Sequence, residues 1–259
     1  MPPPSLPQIG AATAPVMLEL FGDLLCPDCM AAWPTVRSVI SHYGPSKLLF
    51  ILHVFPLPYH HQAYLSAWGA QIIKQLNGSD AAVFAWADAL YGGAQTGFST
   101  AATAGLTYTQ VQGRCVGVAG EALARPAATL PRIHRRHLLS PPLPPPPPPP
   151  PPLPPLPPLS RRSFATLAAQ TVPSITAAAF QAGYGDSNLD EAARVAWKYA
   201  CSRSVTGTPS FFVNGLPVAA DATWTLAQWQ ELLDPLFTEA PASPAEVGRR
   251  ARAARVGRS

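Results

Sequence analysis

Cys26-Pro27-Asp28-Cys29 is the segment of this chain whose residue types and spacing could do chemistry. Two cysteines with two residues between them face each other across one helical turn, so each sulfur lies within reach of the other. The motif follows the apolar run Val16-Met17-Leu18-Glu19-Leu20-Phe21, which reads as a short, mostly buried strand. Pro27 suits the first turn of a helix. Cys26 is therefore expected at a helix N-terminus, where free backbone N–H groups and the macrodipole favour a thiolate. Cys29, one turn deeper, is the thiol that would resolve a mixed disulfide. A second segment, Thr208-Pro209-Ser210-Phe211-Phe212-Val213-Asn214-Gly215, puts an X-Pro bond directly before a β-rich run and a strong hairpin turn. The two segments in this order point to thiol–disulfide chemistry.

Neighbouring residues modulate that chemistry or compete with it. Asp28 places a carboxylate beside the thiolate and opposes it. Glu19, on the strand leading to Cys26, reads either as a buried proton acceptor or as a plain edge carboxylate. Trp33, near the motif, is the tryptophan read as a substrate contact; Trp68, Trp86, Trp197, Trp224 and Trp229 read as core or groove aromatics. The C-x-x-C could instead be half of a zinc site completed by His60 and His61. No second C-x-x-C accompanies it, so no metal is expected. Cys201 reads as a packed helix residue.

The elements that must hold these groups follow from hydrophobic pattern and punctuation. From Pro27 a helix carries apolar positions at Val36, Val39 and Ile40 and stops near Tyr43-Gly44-Pro45. Leu48 to Phe55 is a continuous apolar run, as a central parallel strand requires. Gln62 to Leu76 and Ala81 to Tyr91 read as helices on either side of a turn. Ser187-x-x-Asp190 reads as a capping box for a helix running through Cys201. Phe211 to Val213 and Leu216 to Ala219 form a hairpin about Asn214-Gly215, and Thr225-x-x-Gln228 caps a last helix ending at Asp234-Pro235. The expected units are a flexible leader over 1–15, a βαβ half over 16–58 and a helical insertion over 59–113. A disordered Pro/Arg-rich insertion over 114–162 interrupts the helices, which continue over 163–203. A ββα half over 204–236 and a disordered basic tail over 237–259 complete the chain.

This order, with Cys26-Pro27-Asp28-Cys29 and Thr208-Pro209, resembles the DsbA-like branch of the thioredoxin superfamily. Leu18-Glu19-Leu20-Phe21-Gly22-Asp23, Phe55-Pro56-Leu57-Pro58-Tyr59-His60 and the stretch from Trp197 to Pro209 are similar to uncharacterised members of that branch in plants and green algae. The resemblance spans about 16–100 and 165–236. It implies an α/β, thioredoxin-like fold with an inserted helical subdomain. It also implies a cis bond before Pro209, whose backbone edge, with Thr208, would hold substrate opposite Cys26. The missing N–H of Pro209 would help keep metal from the dithiol. DsbA itself has a histidine where this chain has Asp28, so Cys26 is expected to titrate below the free-thiol value of about 8.5 but to be less depressed than in strong oxidants. The function implied is a thiol–disulfide oxidoreductase acting on protein or peptide dithiols and disulfides. A non-catalytic binding module with a stapling disulfide, and a glutathione-dependent transferase or isomerase, are the alternatives on the same fold. No bound cofactor is expected; glutathione is the candidate co-substrate.

Composition narrows the partners. The chain has 259 residues, 47% of them apolar, enough for a sizeable core. Four cysteines are too few for a disulfide-stapled scaffold of this length. The formal charge of +4 misleads, because 114–162 carry seven arginines and 240–259 carry five. Without those segments six basic residues stand against twelve acidic ones, which argues against a nucleic-acid partner. There is no run of about 18 apolar residues, so no membrane span is expected. Met1 to Val16 lacks the basic and apolar regions of a secretory signal; the cytoplasm or a plastid is the expected compartment, or the secretory pathway if translation begins upstream. Pro141 to Pro158 is almost pure proline and reads as a disordered polyproline II loop, or as a ligand for SH3-, WW- or profilin-type partners. Codons for Pro, Leu and Ser are rich in pyrimidines, so 114–162 also reads as translated intron ahead of a 3′ splice site.

Overall fold

A computed structural model describes residues 6–107, Val111 and residues 163–238. Strand β1 is Gln8–Ile9 and β2 is Val16–Gly22. Helix α1, Pro27–Tyr43, ends where Gly44 takes a φ of 71°, a left-handed value that glycine adopts without steric cost. Strand β3 is Leu48–Val54. Then come α2 (Ala63–Asn77), α3 (Asp80–Tyr91), a 3₁₀ turn (Ala94–Phe98) and the short α4 (Thr100–Thr103). After 163 the chain forms α5 (Phe164–Thr171), α6 (Ala177–Gly183) and α7 (Ser187–Ser202). It closes with β4 (Ser210–Val213), β5 (Leu216–Val218) and α8 (Leu226–Thr238).

The five strands form one sheet in the order β1-β3-β2-β4-β5. Strands β2 and β3 are parallel, from Val16 opposite Leu48 to Gly22 opposite Val54. Strand β4 runs antiparallel to β2, with Phe21 opposite Ser210. The β4–β5 hairpin turns at Asn214 and Gly215, both at positive φ, as the tight primed turn requires. Side chains alternate across β2. Leu18 and Leu20 enter the main core with α1, α2 and α3, while Phe21 joins a smaller cluster with Phe55, Phe212 and Ala200 on the opposite face.

This is an α/β thioredoxin-like fold with a helical insertion. The insertion has its own aromatic centre: Trp86 packs on Phe164 and Phe180, and Phe98 stacks on Phe164 with centroids 4.0 Å apart. That stack joins the two parts of the insertion, which are far apart in the sequence. Truncating a buried aromatic such as Phe164 to alanine would cost about 3–5 kcal/mol.

Four expectations are corrected. The leader is not wholly loose, because Gln8–Ile9 pairs with Ile51 and Phe50 and covers the outer edge of β3. Helix α7 is capped by Asp186, whose carboxylate accepts the Asn188 N–H, and not by Ser187. Helix α8 runs through Pro235 to Thr238, past the expected start of the tail at 237. Pro235 lies on the exposed side of the last turns. Cys201 lies on α7 but is exposed, because the helix turns Ala200 inward instead. The expectations for 114–162, the proline run and residues 239–259 fall outside the described residues. Among the described residues no helix is long and apolar enough to cross a membrane.

Candidate active site: a C-x-x-C pair facing a proline loop

The end of β2 is tied to the start of α1 by one acidic residue. The Asp23 carbonyl accepts the Cys26 N–H at 3.0 Å, and its carboxylate accepts the Leu25 N–H at 2.7 Å. Two such bonds fold residues 23–26 into a tight turn and leave Cys26 as the N-cap of α1, with Pro27 at the first helical position. Cys26 is 4% exposed and Cys29 is fully buried; both are free thiols. Gly22 passes close behind them. A Cβ placed there would lie 2.8 Å from the Tyr91 hydroxyl and 3.7 Å from the Cys29 sulfur.

The antiparallel pairing of β2 with β4 brings the second motif to the first. The Thr208–Pro209 bond is cis, and the Cys26 thiol lies 3.5 Å from the Thr208 carbonyl as a donor. The Thr208 hydroxyl is buried beside both sulfurs and favours their charged forms. Cys26 is lowered to about 6, first by the hydrogen bond from the Cys29 thiol. Thr208 and the backbone N–H groups of Cys29 and Asp28 add to this, against the cost of burial. Cys29 is pushed well above the usual thiol range by its own burial and by the Cys26 sulfur. The arrangement therefore separates the two thiols into one that ionises near neutral pH and one that stays protonated.

Three residues singled out in the sequence stand elsewhere. Trp33 is 4% exposed, packed between Phe50 and Tyr91, and donates its indole N–H to Asp88 at 2.7 Å. It is a core residue between α1 and α3, not a substrate contact, because its helical position faces inward. Glu19 is buried on the sheet face opposite the sulfurs, since residues 19 and 20 must point to opposite sides of β2. There it meets His53 at 2.9 Å and Arg203 at 3.6 Å. Asp28 is exposed, and its contribution to Cys26 is its backbone N–H rather than its carboxylate. Pro27 is also exposed, and its role is confined to the helix start.

The carboxylate on the sulfur side is Asp23, which is fully buried. Besides Leu25 it accepts the Leu57 N–H at 2.8 Å and pairs with His60 Nδ1 at 2.7 Å. Burial raises its pKa, and the bonds from Leu57, Leu25 and His60 restrain that rise. In the sequence His60 stood out only as half of a candidate zinc set with His61, and Asp23 did not stand out as a site residue. The signal was present: an acid set between Phe21-Gly22 and Leu24-Leu25 must be buried with its neighbours, and a buried acid needs partners. With His60 committed to Asp23, no group of three or more His, Cys, Asp or Glu among the described residues is placed to hold a metal ion.

Comparison with known proteins agrees with this geometry. The family described as Thioredoxin matches residues 4–122. No curated protein matches the chain in sequence. Among solved structures, alpha-DsbA1 of Wolbachia pipientis is similar at a TM-score of 0.55 and 15% identity, over 92% of this chain and 93% of that one. BdbD of Bacillus subtilis, in its oxidised form, gives 0.55 and 11% over 90% and 94%. A thioredoxin-like oxidoreductase of Silicibacter pomeroyi gives 0.51 and 15% over 92% and 95%. The chain thus shares a thioredoxin-like fold with these structures, and the part of it over residues 4–122 is similar to the Thioredoxin family.

Proposed function

We propose that this protein is a thiol–disulfide oxidoreductase that exchanges disulfides with protein or peptide thiols through the Cys26–Cys29 couple. The observation that carries the reading is the asymmetry of the pair: Cys26 lowered to about 6 at a helix N-terminus, Cys29 buried and protonated. In the reducing direction the Cys26 thiolate attacks a substrate disulfide. A Cys26–substrate bond forms, and the other substrate sulfur leaves with the electron pair and takes a proton. Cys29 then loses its proton and attacks Cys26. The Cys26–Cys29 bond forms and the second substrate thiolate leaves, so the dithiol is oxidised as the substrate is reduced. Substrate dithiols drive the same steps backwards. A thiolate stabilised to this extent favours the reduced form, hence an oxidising couple.

The other groups have roles that fit this cycle. Thr208 and Pro209 form the wall against which a substrate strand would lie. Pro27 starts the helix whose N-terminus holds the thiolate. The proton of Cys29 needs a buried acceptor on its own side of the sheet; Asp23, buried on that side, is the candidate, and Glu19 lies on the other face. Glutathione is the candidate small co-substrate for regenerating the couple. The test is reduction of insulin, and oxidation of a peptide dithiol, by wild type and Cys26→Ser. Loss of both reactions in the variant supports the reading. Wild type inert in both, at every redox poise, overturns it.

A further inference from the structure

The feature left over from the thiol chemistry is a groove of about 430 Å³ next to the Cys26 turn. Its floor is Pro56, Leu57 and Pro58, and one wall is Trp197. It adjoins the site through two bonds already described. The Leu57 N–H and the His60 ring both end on the Asp23 carboxylate, and Asp23 holds the Cys26 amide.

The charged side chains that line it are Arg194 and Lys198, beside the imidazoles of His60 and His61 and the Tyr64 ring; among the described residues no Asp or Glu lines it. Arg194 and Lys198 are two of only six lysines and arginines in 6–107 and 163–238, against eleven Asp and Glu. The cations are not used up by neighbours. Arg194 spends its Nε on Asp190 and lies 5.3 Å over the Tyr64 ring, which leaves its two terminal nitrogens without a hydrogen-bond partner among the described residues. Lys198 meets Glu191 at 3.4 Å, with both side chains mostly exposed, a pair that water and salt easily replace. His60 Nε2 has no partner among the described residues, since Nδ1 takes Asp23. Trp197 is 40% exposed and stacks on Phe55 at 6.1 Å, a flat apolar platform beside the cations.

We propose that this groove binds an acidic peptide segment of the disulfide substrate, one with a carboxylate next to an aromatic side chain. The carboxylate pairs with Arg194 and Lys198, and the aromatic ring lies on Trp197 and the proline floor. Glutathione offers carboxylates but no apolar side chain for that platform, so the occupant is a peptide. The assignment rests on the oxidoreductase reading for its purpose, and its test does not depend on that reading.

The test is fluorescence-polarisation titration of the full chain with cysteine-free labelled peptides carrying Glu-Phe, Lys-Phe or Glu-Gly at one position. At low salt the Glu-Phe peptide should bind at least about tenfold more tightly than Lys-Phe, and the ratio should shrink as salt screens the pairs. Arg194→Glu with Lys198→Glu should remove or invert the preference. Trp197→Ala should bring Glu-Phe down to the level of Glu-Gly. Equal binding of Glu-Phe and Lys-Phe by wild type overturns the proposal, whatever the variants do. So does displacement of the Glu-Phe peptide by equimolar glutathione, which would make the site one for small carboxylates. Because no thiol takes part, a protein inert in insulin reduction still answers this question.

Discussion

Two carboxylate–histidine pairs lie along β2, and they differ in almost everything but chemistry. Glu19 and His53 meet at 2.9 Å under Tyr199 and Arg203, on the sheet face away from the sulfurs. Asp23 and His60 meet at 2.7 Å at the strand's end, where the Asp23 backbone holds Cys26. The first pair is closed over by packing: His53 stacks on Phe21 at 4.1 Å and packs against Tyr199 at 5.4 Å. The second opens through His60 into a groove. Burial of a carboxylate is therefore no guide to its role here. What differs is whether it sits at the strand's carboxyl end, where the parallel strands β2 and β3 deliver their loops, or on the strand's flank.

The sharpest way to break this comparison is to remove each acid in turn and follow the resolving step. Asp23→Asn should slow release from a Cys26 mixed disulfide by about 100-fold, the usual scale of a lost proton acceptor. Glu19→Gln should leave that rate within about twofold. Stopped-flow kinetics on folded protein decides; equal losses in the two variants would end the distinction.

Stability should separate the pairs less. Glu19→Ala leaves His53 and Arg203 without their carboxylate, and a broken buried pair costs about 3–5 kcal/mol. Asp23→Ala strands the Leu25 and Leu57 amides and should cost a similar amount, about 3–5 kcal/mol. Urea unfolding of both gives the comparison; a loss under about 1 kcal/mol at Glu19 would mean that its pair is replaceable by packing.

A pH series sharpens the sulfur side. Iodoacetamide should alkylate Cys26 with a midpoint at about 6, and Cys29 only far more slowly. Cys26 titrates lower in the fold than unfolded, so its thiolate adds stability above the ordinary thiol range, and this is lost as pH falls through about 6. The disulfide form has no such thiolate. Reduced protein should therefore gain on oxidised protein in melting temperature as pH rises from about 6 to 9.0. A constant difference would show that the fold does not stabilise the thiolate.

The smallest effect is expected at Asp28. Its side chain is exposed and its contribution comes through the backbone. Asp28→His should move the Cys26 alkylation midpoint by a few tenths of a pH unit at most at ordinary salt, because exposed charges are screened. A shift of about one unit or more would mean that the side chain turns toward the sulfur.

The order of β2, α1, β3, α2, α3, α7, β4, β5 and α8 was legible, whereas the two-residue β1 and the short helices α4, α5 and α6 were not. Apolar runs, prolines and turn residues such as Asn214-Gly215 are local signals, and local signals need no neighbour to interpret them. The strand–helix junction at Cys26 was legible for the same reason. Period-two alternation would also have put Glu19 and Leu20 on opposite faces of β2, but which face holds the sulfurs depends on where α1 packs. Trp33 could be placed close to the motif in sequence, but its direction depends on α3 covering that side of α1. The joining of Asp23 to His60, and of Leu57 to both, needs β3 to end beside β2, a fact of the sheet and not of either segment. The clustering of His60 with Arg194 and Lys198 needs α7 to fold back over the end of β3. By itself the sequence determined the elements and the chemical type of the thiol pair. Only the tertiary structure decided which carboxylate lies on the side of the sulfurs, because pairing across a sheet and packing between helices join residues that share no local pattern.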